Sequence, residues 1–287
     1  MKRQKFLWVP IAILVVLIVV GYVFRGNIRD AWSAWNAPKL PVATKYVPAT
    51  SSATGISGEQ TSPVEGGVAT SQHYQIVTAS PSKTTVDPMA DNGPLPSQAN
   101  LAVPFTSQAP TGNWGMPYQE ACEETSAIMV DAFYRGISGK IPSDQATKAI
   151  NAVVDYENKT LGFYKDTDAA QTAQFIKGYF GYQDVEVLPL TSVDDLKRAV
   201  ANGFPVIVPA AGKELPNPNF TDGGPNYHML VVKGYTPDRI ITNDPGTRLG
   251  ADFTYTYSGL MNAAHDWNGG DVTHGAPVMI IILPNAN

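Results

Sequence analysis

The sequence predicts an α+β domain held behind a single membrane-spanning helix and an extended stalk. Three observations carry that reading. An uncharged apolar run of 19 residues lies at the N-terminus, a long Ser/Thr/Pro/Gly-rich stretch follows it, and from Leu101 onward helical periodicities come first and strand-like runs second. Helices followed by strands, rather than strict alternation, point to an antiparallel sheet with helices packed against it. The implied layout is an anchor over 1–26, a juxtamembrane segment and stalk over 27–98, and a folded domain over 99–287.

The apolar run Phe6–Phe24 is about the length that crosses ~30 Å of hydrocarbon as a helix. Trp8 and Tyr22 stand where interfacial aromatics belong, and Pro10 lies in the first turns, where a helix tolerates it. A cleaved signal peptide is the alternative. The run exceeds the roughly 7–15 residues of a signal h-region, and no A-x-A site follows, so an uncleaved anchor fits better. The short N-terminal tail and large C-terminal part favour a single-pass protein of the cell membrane with the domain facing outside. Ile28, Trp32 and Trp35 read as a continuation of the anchor into the headgroup region.

Charge is unevenly placed. The chain carries 20 bases and 25 acids, net −5; residues 1–29 hold five bases and no acid, which leaves net −10 for the rest. Nucleic-acid binding needs a basic surface and is not expected. The stretches TSSATGISGEQTSPVEGGVATS and ASPSKTTVDPMADNGPLPSQAN hold too little apolar surface to offset ordering entropy, so a flexible stalk is expected. Within it, 73–77 has the composition of one short strand.

In the domain, 120–134 reads as a helix with Ala121, Ile128, Met129, Ala132 and Phe133 inward. A Ser-Asp start and apolar residues at helical spacing predict a helix over 143–157, and 168–180 predicts a third. Residues 184–188 suit a short strand. Ser192 caps a helix that Gly203 closes. Strands are expected over 204–209, 227–234, 239–243, 252–255 and 278–283, with a turn at Thr236-Pro237-Asp238 joining two of them.

Cys122 is the only cysteine, so it forms no internal disulfide; it is either inert packing or a reactive thiol. It opens the predicted helix, where free N–H groups and the helix dipole favour a thiolate. Glu123 and Glu124 would oppose that charge and are expected to point elsewhere. A thiol nucleophile needs a rigidly held base. His228 starts a strand-like run, and Asp244 ends its neighbour; the hairpin would return Asp244 towards His228 so that the carboxylate orients the imidazole. An oxyanion needs donors, for which the Cys122 N–H and the side-chain amide of Gln108 or Gln119 are candidates. Alone, His228 fits a core histidine and Asp244 a turn former. His265 and His274 match no standard metal spacing and read as a solvated loop, so no metal and no cofactor are expected. Trp114 and Tyr118 flank the cysteine as groove or packing residues, and Asp222–Asn226 reads as a mobile loop beside the cleft.

The runs VPFTSQAP, NWGMPYQEACEETSAIM, HMLVVKGY and NDPGT, in that order, resemble papain-fold cysteine peptidases related to the double-glycine leader peptidases of bacteriocin exporters. The resemblance spans Leu101 to the C-terminus. It implies a bacterial thiol protease of papain-like fold, with Gln108 of V-P-x-x-x-Q completing the oxyanion hole, Cys122 as nucleophile, and His228 and Asp244 as its partners. One departure is the spacing: Gln108 stands 14 residues before Cys122, farther than in the exporter enzymes, and the nearer Gln119 lacks the motif. The expected activity is peptide-bond hydrolysis by a monomeric enzyme on a peptide or protein substrate. An amidase or transpeptidase on cell-wall peptide would use the same triad, and a catalytically silent surface binding domain would keep only the fold.

Overall fold

The computed structural model describes residues 39–48 and 87–285. The apolar run 6–24, the juxtamembrane residues and the strand expected over 73–77 lie outside them. The chain divides into two compact units, 1–40 and 41–287; of the first only Lys39 and Leu40 are described. Among the described residues no helix is long and apolar enough to cross a membrane.

The second unit is α+β. Its helices are α1 (Cys122–Tyr134), α2 (Ser143–Thr160), α3 (Ala169–Phe175), α4 (Val193–Ala201) and α5 (Tyr257–Ala263). Its strands are β1 (Ala99–Asn100), β2 (Val185–Pro189), β3 (Val206–Ala211), β4 (Tyr227–Tyr235), β5 (Arg239–Asn243), β6 (Phe253–Thr256) and β7 (Val278–Ile282). Every named strand pairing is antiparallel; the order is β2-β7-β3-β4-β5-β6, with β1 added to β4.

β4 is the middle of the sheet, and all nine of its residues are buried. A strand covered on both faces reads as a continuous apolar run, which is why HMLVV lacks alternation. Helices α1 and α4 both pack on β4. Helix α1 is buried along twelve of its thirteen residues, so it is a central helix rather than an amphipathic surface one. Its polar residues are tied down locally: Thr125 Oγ1 donates to the Ala121 carbonyl at 2.6 Å, and Ser126 Oγ to the Met229 carbonyl of β4 at 3.3 Å. Helix α2 buries Ala146, Ala149, Ile150, Val153 and Val154, the stripe that its periodicity predicts.

Three details differ from the sequence reading. The helix expected over 168–180 stops at Phe175 and continues as one π-helical turn, Ile176–Phe180. Gly178 sits there because a Cβ would lie 2.0 Å from the Tyr156 hydroxyl. Helix α5 has no strong sequence signal, being short and interrupted by Gly259; its Thr256 cap accepts from the Gly259 N–H at 3.0 Å. Two pieces of the segment read as stalk also lie against the domain. Thr44 pairs with Leu101 and the Tyr46 ring meets Phe133 at a tilt and Tyr134 edge-on, while Asn202 Nδ2 donates to the Pro88 and Ala90 carbonyls at 3.0 Å each.

Glu124 of α1 and Glu157 of α2 are fully buried side by side, and the two carboxyls hydrogen-bond to each other. Burial pushes Glu157 up to about 9, so it is held protonated. Its folded-state value lies above the unfolded one. The protonated pair is therefore fully compatible with the fold below the ordinary carboxyl range, and stability is lost as pH rises towards about 9. Glu157→Gln should flatten the fall of Tm between pH 5 and 9 and add about 1–3 kcal/mol at the alkaline end. Thermal melts of both proteins across that range check it; parallel curves would mean that Glu157 is already ionised in the fold.

Candidate active site

Cys122 is the first residue of α1, so its N–H is one of the four that the helix leaves unsatisfied internally. A 3₁₀ turn, Tyr118–Glu120, delivers the chain to that point. Across from it stands the start of β4. Gln108, Gln119, Glu120, Cys122, Glu123, Asp166, Pro225, Asn226, Tyr227 and His228 line a cleft of about 220 Å³. Three of the four sequence candidates, with the alternative Gln119, thus meet at one opening, and Asp244 lies directly behind His228.

His228 Nε2 is 2.8 Å from Asp244 Oδ1, and both side chains are buried. The register explains the meeting. Val231 faces Asn243 across the β4–β5 ladder, and a bulge between Val232 and Gly234 inserts one extra residue into β4. Continued by one step, that register sets Asp244 opposite Leu230, on the same face as His228. Without the bulge it would stand opposite Val231, on the other face, because a one-residue slip reverses every side chain.

Asp244 is held from four sides. Oδ1 accepts from His228 and from the Gly246 N–H at 3.0 Å; Oδ2 accepts from Tyr255 at 2.6 Å and Asn217 Nδ2 at 2.9 Å. Burial alone would raise this carboxyl, but the His228 ring and the hydrogen bonds from His228, Tyr255 and Gly246 outweigh it and hold the carboxyl below its usual range. Asn217 and Tyr255, which hold Asp244, are residues that the sequence reading did not single out. Neither belongs to a motif, and only the return of β6 beside β5 brings Tyr255 to Asp244.

Gly246 has a steric reason. A Cβ there would lie 2.8 Å from His228 Cε1 and 2.9 Å from Phe220 Cε1. Phe220 meets the imidazole edge-on at 5.4 Å between ring centres and closes its other side. Gly246→Ala should push the ring off its bond to Asp244 and lower kcat by about 10²-fold, the scale of a misplacement near 1 Å. Steady-state kinetics beside a melting curve separate this from unfolding; unchanged kcat in a folded variant would show that the ring position is not demanding.

The electrostatics around the thiol depart from the sequence expectation. Glu123 does not turn away: Cys122 Sγ donates to Glu123 Oε2 at 3.0 Å. Burial first, then the charge and hydrogen bond of Glu123, push the thiol well above its ordinary value; a bond from the Met229 backbone works the other way. Glu123 is itself pushed well up, by burial first and by Glu124 next. These effects work against the helix N-terminus and disfavour the thiolate. Glu124 points away into the core beside Glu157.

Gln108 is buried, and its Nε2 donates to the carbonyls of Tyr118 at 3.0 Å and Gln119 at 2.9 Å, leaving Oε1 without a partner. Those two carbonyls occupy the amide that an oxyanion would need. Gln119 is exposed at the rim. Trp114 and Tyr118 do not line the cleft; the Tyr118 hydroxyl accepts from Asn151 at 3.1 Å. Pro225 and Asn226, from the loop beside β4, do. His265 Nδ1 bonds the Gly275 carbonyl at 2.8 Å, and His274 pairs at the surface with Asp271 at 2.9 Å. Among the described residues, no group of three or more His, Cys, Asp or Glu side chains is arranged to hold a metal ion.

A family model described as the Peptidase_C39 like family matches residues 100–270. The crystal structure of a Bacillus anthracis protein described as a C39-like peptidase is similar at a TM-score of 0.43 and 18% identity, covering 66% of this chain and 99% of that one. Digestive procathepsin L 3 from the larval midgut of Tenebrio molitor is similar at 0.43 and 13% identity, covering 71% and 76%. A Carica candamarcensis cysteine protease bound to E-64 is similar at 0.38 and 14% identity, covering 66% and 99%. No curated protein matches the chain.

Proposed function

The chain belongs to the Peptidase_C39-like family and is a cysteine peptidase, and from that premise we propose that Cys122, His228 and Asp244 form its catalytic triad. The observation that carries the assignment is the convergence of Cys122 and His228 on one cleft, with His228 Nε2 held at 2.8 Å by a buried, fully bonded Asp244.

In this reading Asp244 keeps the proton on Nε2 and leaves Nδ1 as the base. Burial and Glu123 disfavour the thiolate, so His228 removes the thiol proton as Sγ attacks the carbonyl carbon. The carbonyl oxygen becomes an oxyanion facing the Cys122 N–H. Gln108 becomes the second donor by exchanging one of its two carbonyl partners for that oxygen. His228 then gives its proton to the leaving amine, and a thioester remains on Sγ. Water, deprotonated by His228, attacks the thioester and releases the acid and the thiol.

The apolar run 6–24 and the polar stretch behind it support a peptidase tethered to the cell membrane as a single-pass protein with its domain outside. Mass spectrometry of products from a peptide library incubated with the full chain tests the activity. Iodoacetamide, with a single cysteine to modify, supplies the blocked control. Cleavage that stops on alkylation is the expected result. Cleavage that survives it would refute the thiol mechanism, and release of cell-wall peptide without cleavage of the library would favour the amidase.

A further inference from the structure

We propose that the cleft beside Cys122 receives a positively charged group of the substrate, a lysine- or arginine-like side chain or a free amino terminus, between Glu120 and Asp166, with the Glu123 carboxyl as a further acceptor. The inference deepens the peptidase assignment and rests on Cys122 being the nucleophile.

The three carboxyls come from three separate segments: the 3₁₀ turn before α1, the first turn of α1, and the loop before α3. Among the described residues no lysine or arginine lines the cleft. A solvated acidic face is the plain alternative, but Glu123 is 1% exposed, and Glu120 and Asp166 are half-buried. Glu120 and Asp166, each partly kept from water, repel one another at low effective dielectric. Asp166 shows the strain: burial and then Glu120 raise it, and only the exposed Lys165 beside it opposes them.

A second, independent feature points the same way. Gln108 belongs to the cleft lining, is 4% exposed, and has its Oε1 buried without a partner while its amide nitrogen is engaged elsewhere. A buried acceptor without a donor costs about 1–3 kcal/mol by itself, and Gln108 shares the cleft lining with Glu120 and Asp166. An ammonium or guanidinium group brings several N–H donors and a positive charge at once. It answers both demands, whereas an acidic substrate group worsens each.

The test uses the full chain and its single thiol. Cys122 is modified with methanethiosulfonates carrying a cationic, a neutral or an anionic group, each rate being divided by that for free mercaptoethanol. Intact-mass spectrometry reads the modification. The cationic reagent should lead the anionic one by about tenfold or more. Asp166→Asn and Glu120→Gln should each shrink that ratio; asparagine tolerates the left-handed backbone of Asp166, φ 50°. Equal rates, an anionic preference, or a Cys122 that no reagent reaches would overturn the proposal. The wild-type order decides it even where a variant misfolds.

Peptides provide the second arm. Lysine against norleucine around the scissile bond, and free against acetylated amino termini, tell a side chain from a terminus. Cleavage indifferent to both overturns the proposal and leaves the triad standing. A cationic labelling preference without cleavage of any peptide supports the charged cleft and defeats the peptidase mechanism instead.

Discussion

Cys122→Ala is expected to lower kcat/KM for peptide cleavage by about 10⁵- to 10⁶-fold, the scale seen when a covalent nucleophile is removed. No other side chain lining the cleft replaces it: the remaining groups are carboxyls, amides, a phenol, a proline and the base itself. Little else should change. The thiol packs at the start of a buried helix, alanine fits the same space, and the loss of Sγ costs about 1 kcal/mol or less. Glu123 loses its donor, but burial and Glu124 already push it towards its neutral form. Cleavage assays beside a melting curve give the outcome. A folded variant within tenfold of the parent would move the nucleophile elsewhere.

The second large effect falls on Asp244→Asn, which should lower kcat by about 10⁴-fold and destabilise the fold by about 2–4 kcal/mol. The carboxylate accepts four hydrogen bonds, two at each oxygen. An amide keeps one oxygen and turns the other into a donor. Whichever way it sits, that NH₂ faces either the Gly246 N–H and the imidazole or the Tyr255 hydroxyl and the Asn217 amide. If it faces the imidazole, the ring proton is displaced to Nδ1 and the base is lost. The pH dependence should change as well. The carboxyl is held below its usual range, so the parent's stability from this group is present above the ordinary carboxylate range and fades as pH falls through the lowered value; the variant loses that dependence. A variant with normal kcat would show that the ring is oriented by Phe220 and Gly246 alone.

The helices and strands were largely legible in the sequence because their apolar periods are local. Helix α2 and strands β4, β5 and β7 stand within a few residues of where the patterns place them. Helix α5 and the π turn after α3 were not, since their causes, a Thr256 cap on a short segment and the Tyr156 hydroxyl against Gly178, are a weak signal and a long-range contact. Cys122, His228 and Asp244 were found by residue type and order. Asn217 and Tyr255 were not, because an Asn and a Tyr in ordinary surroundings carry no mark of the carboxylate they hold.

The sequence by itself determined the α+β layout, the single thiol at the head of a helix and the acidic balance of the chain, because composition and period are properties of each segment alone. Only the tertiary structure decided what surrounds the thiol. The bulge between Val232 and Gly234 sets Asp244 on the face of His228, and the packing of α1 against β4 leaves Glu123 bonded to Sγ, where it opposes ionisation of the thiol. The register turns on one bulge in the β4–β5 hairpin and the burial of α1 on a strand 103 positions away, and a hydrogen bond between neighbours in sequence forms or fails according to what covers them.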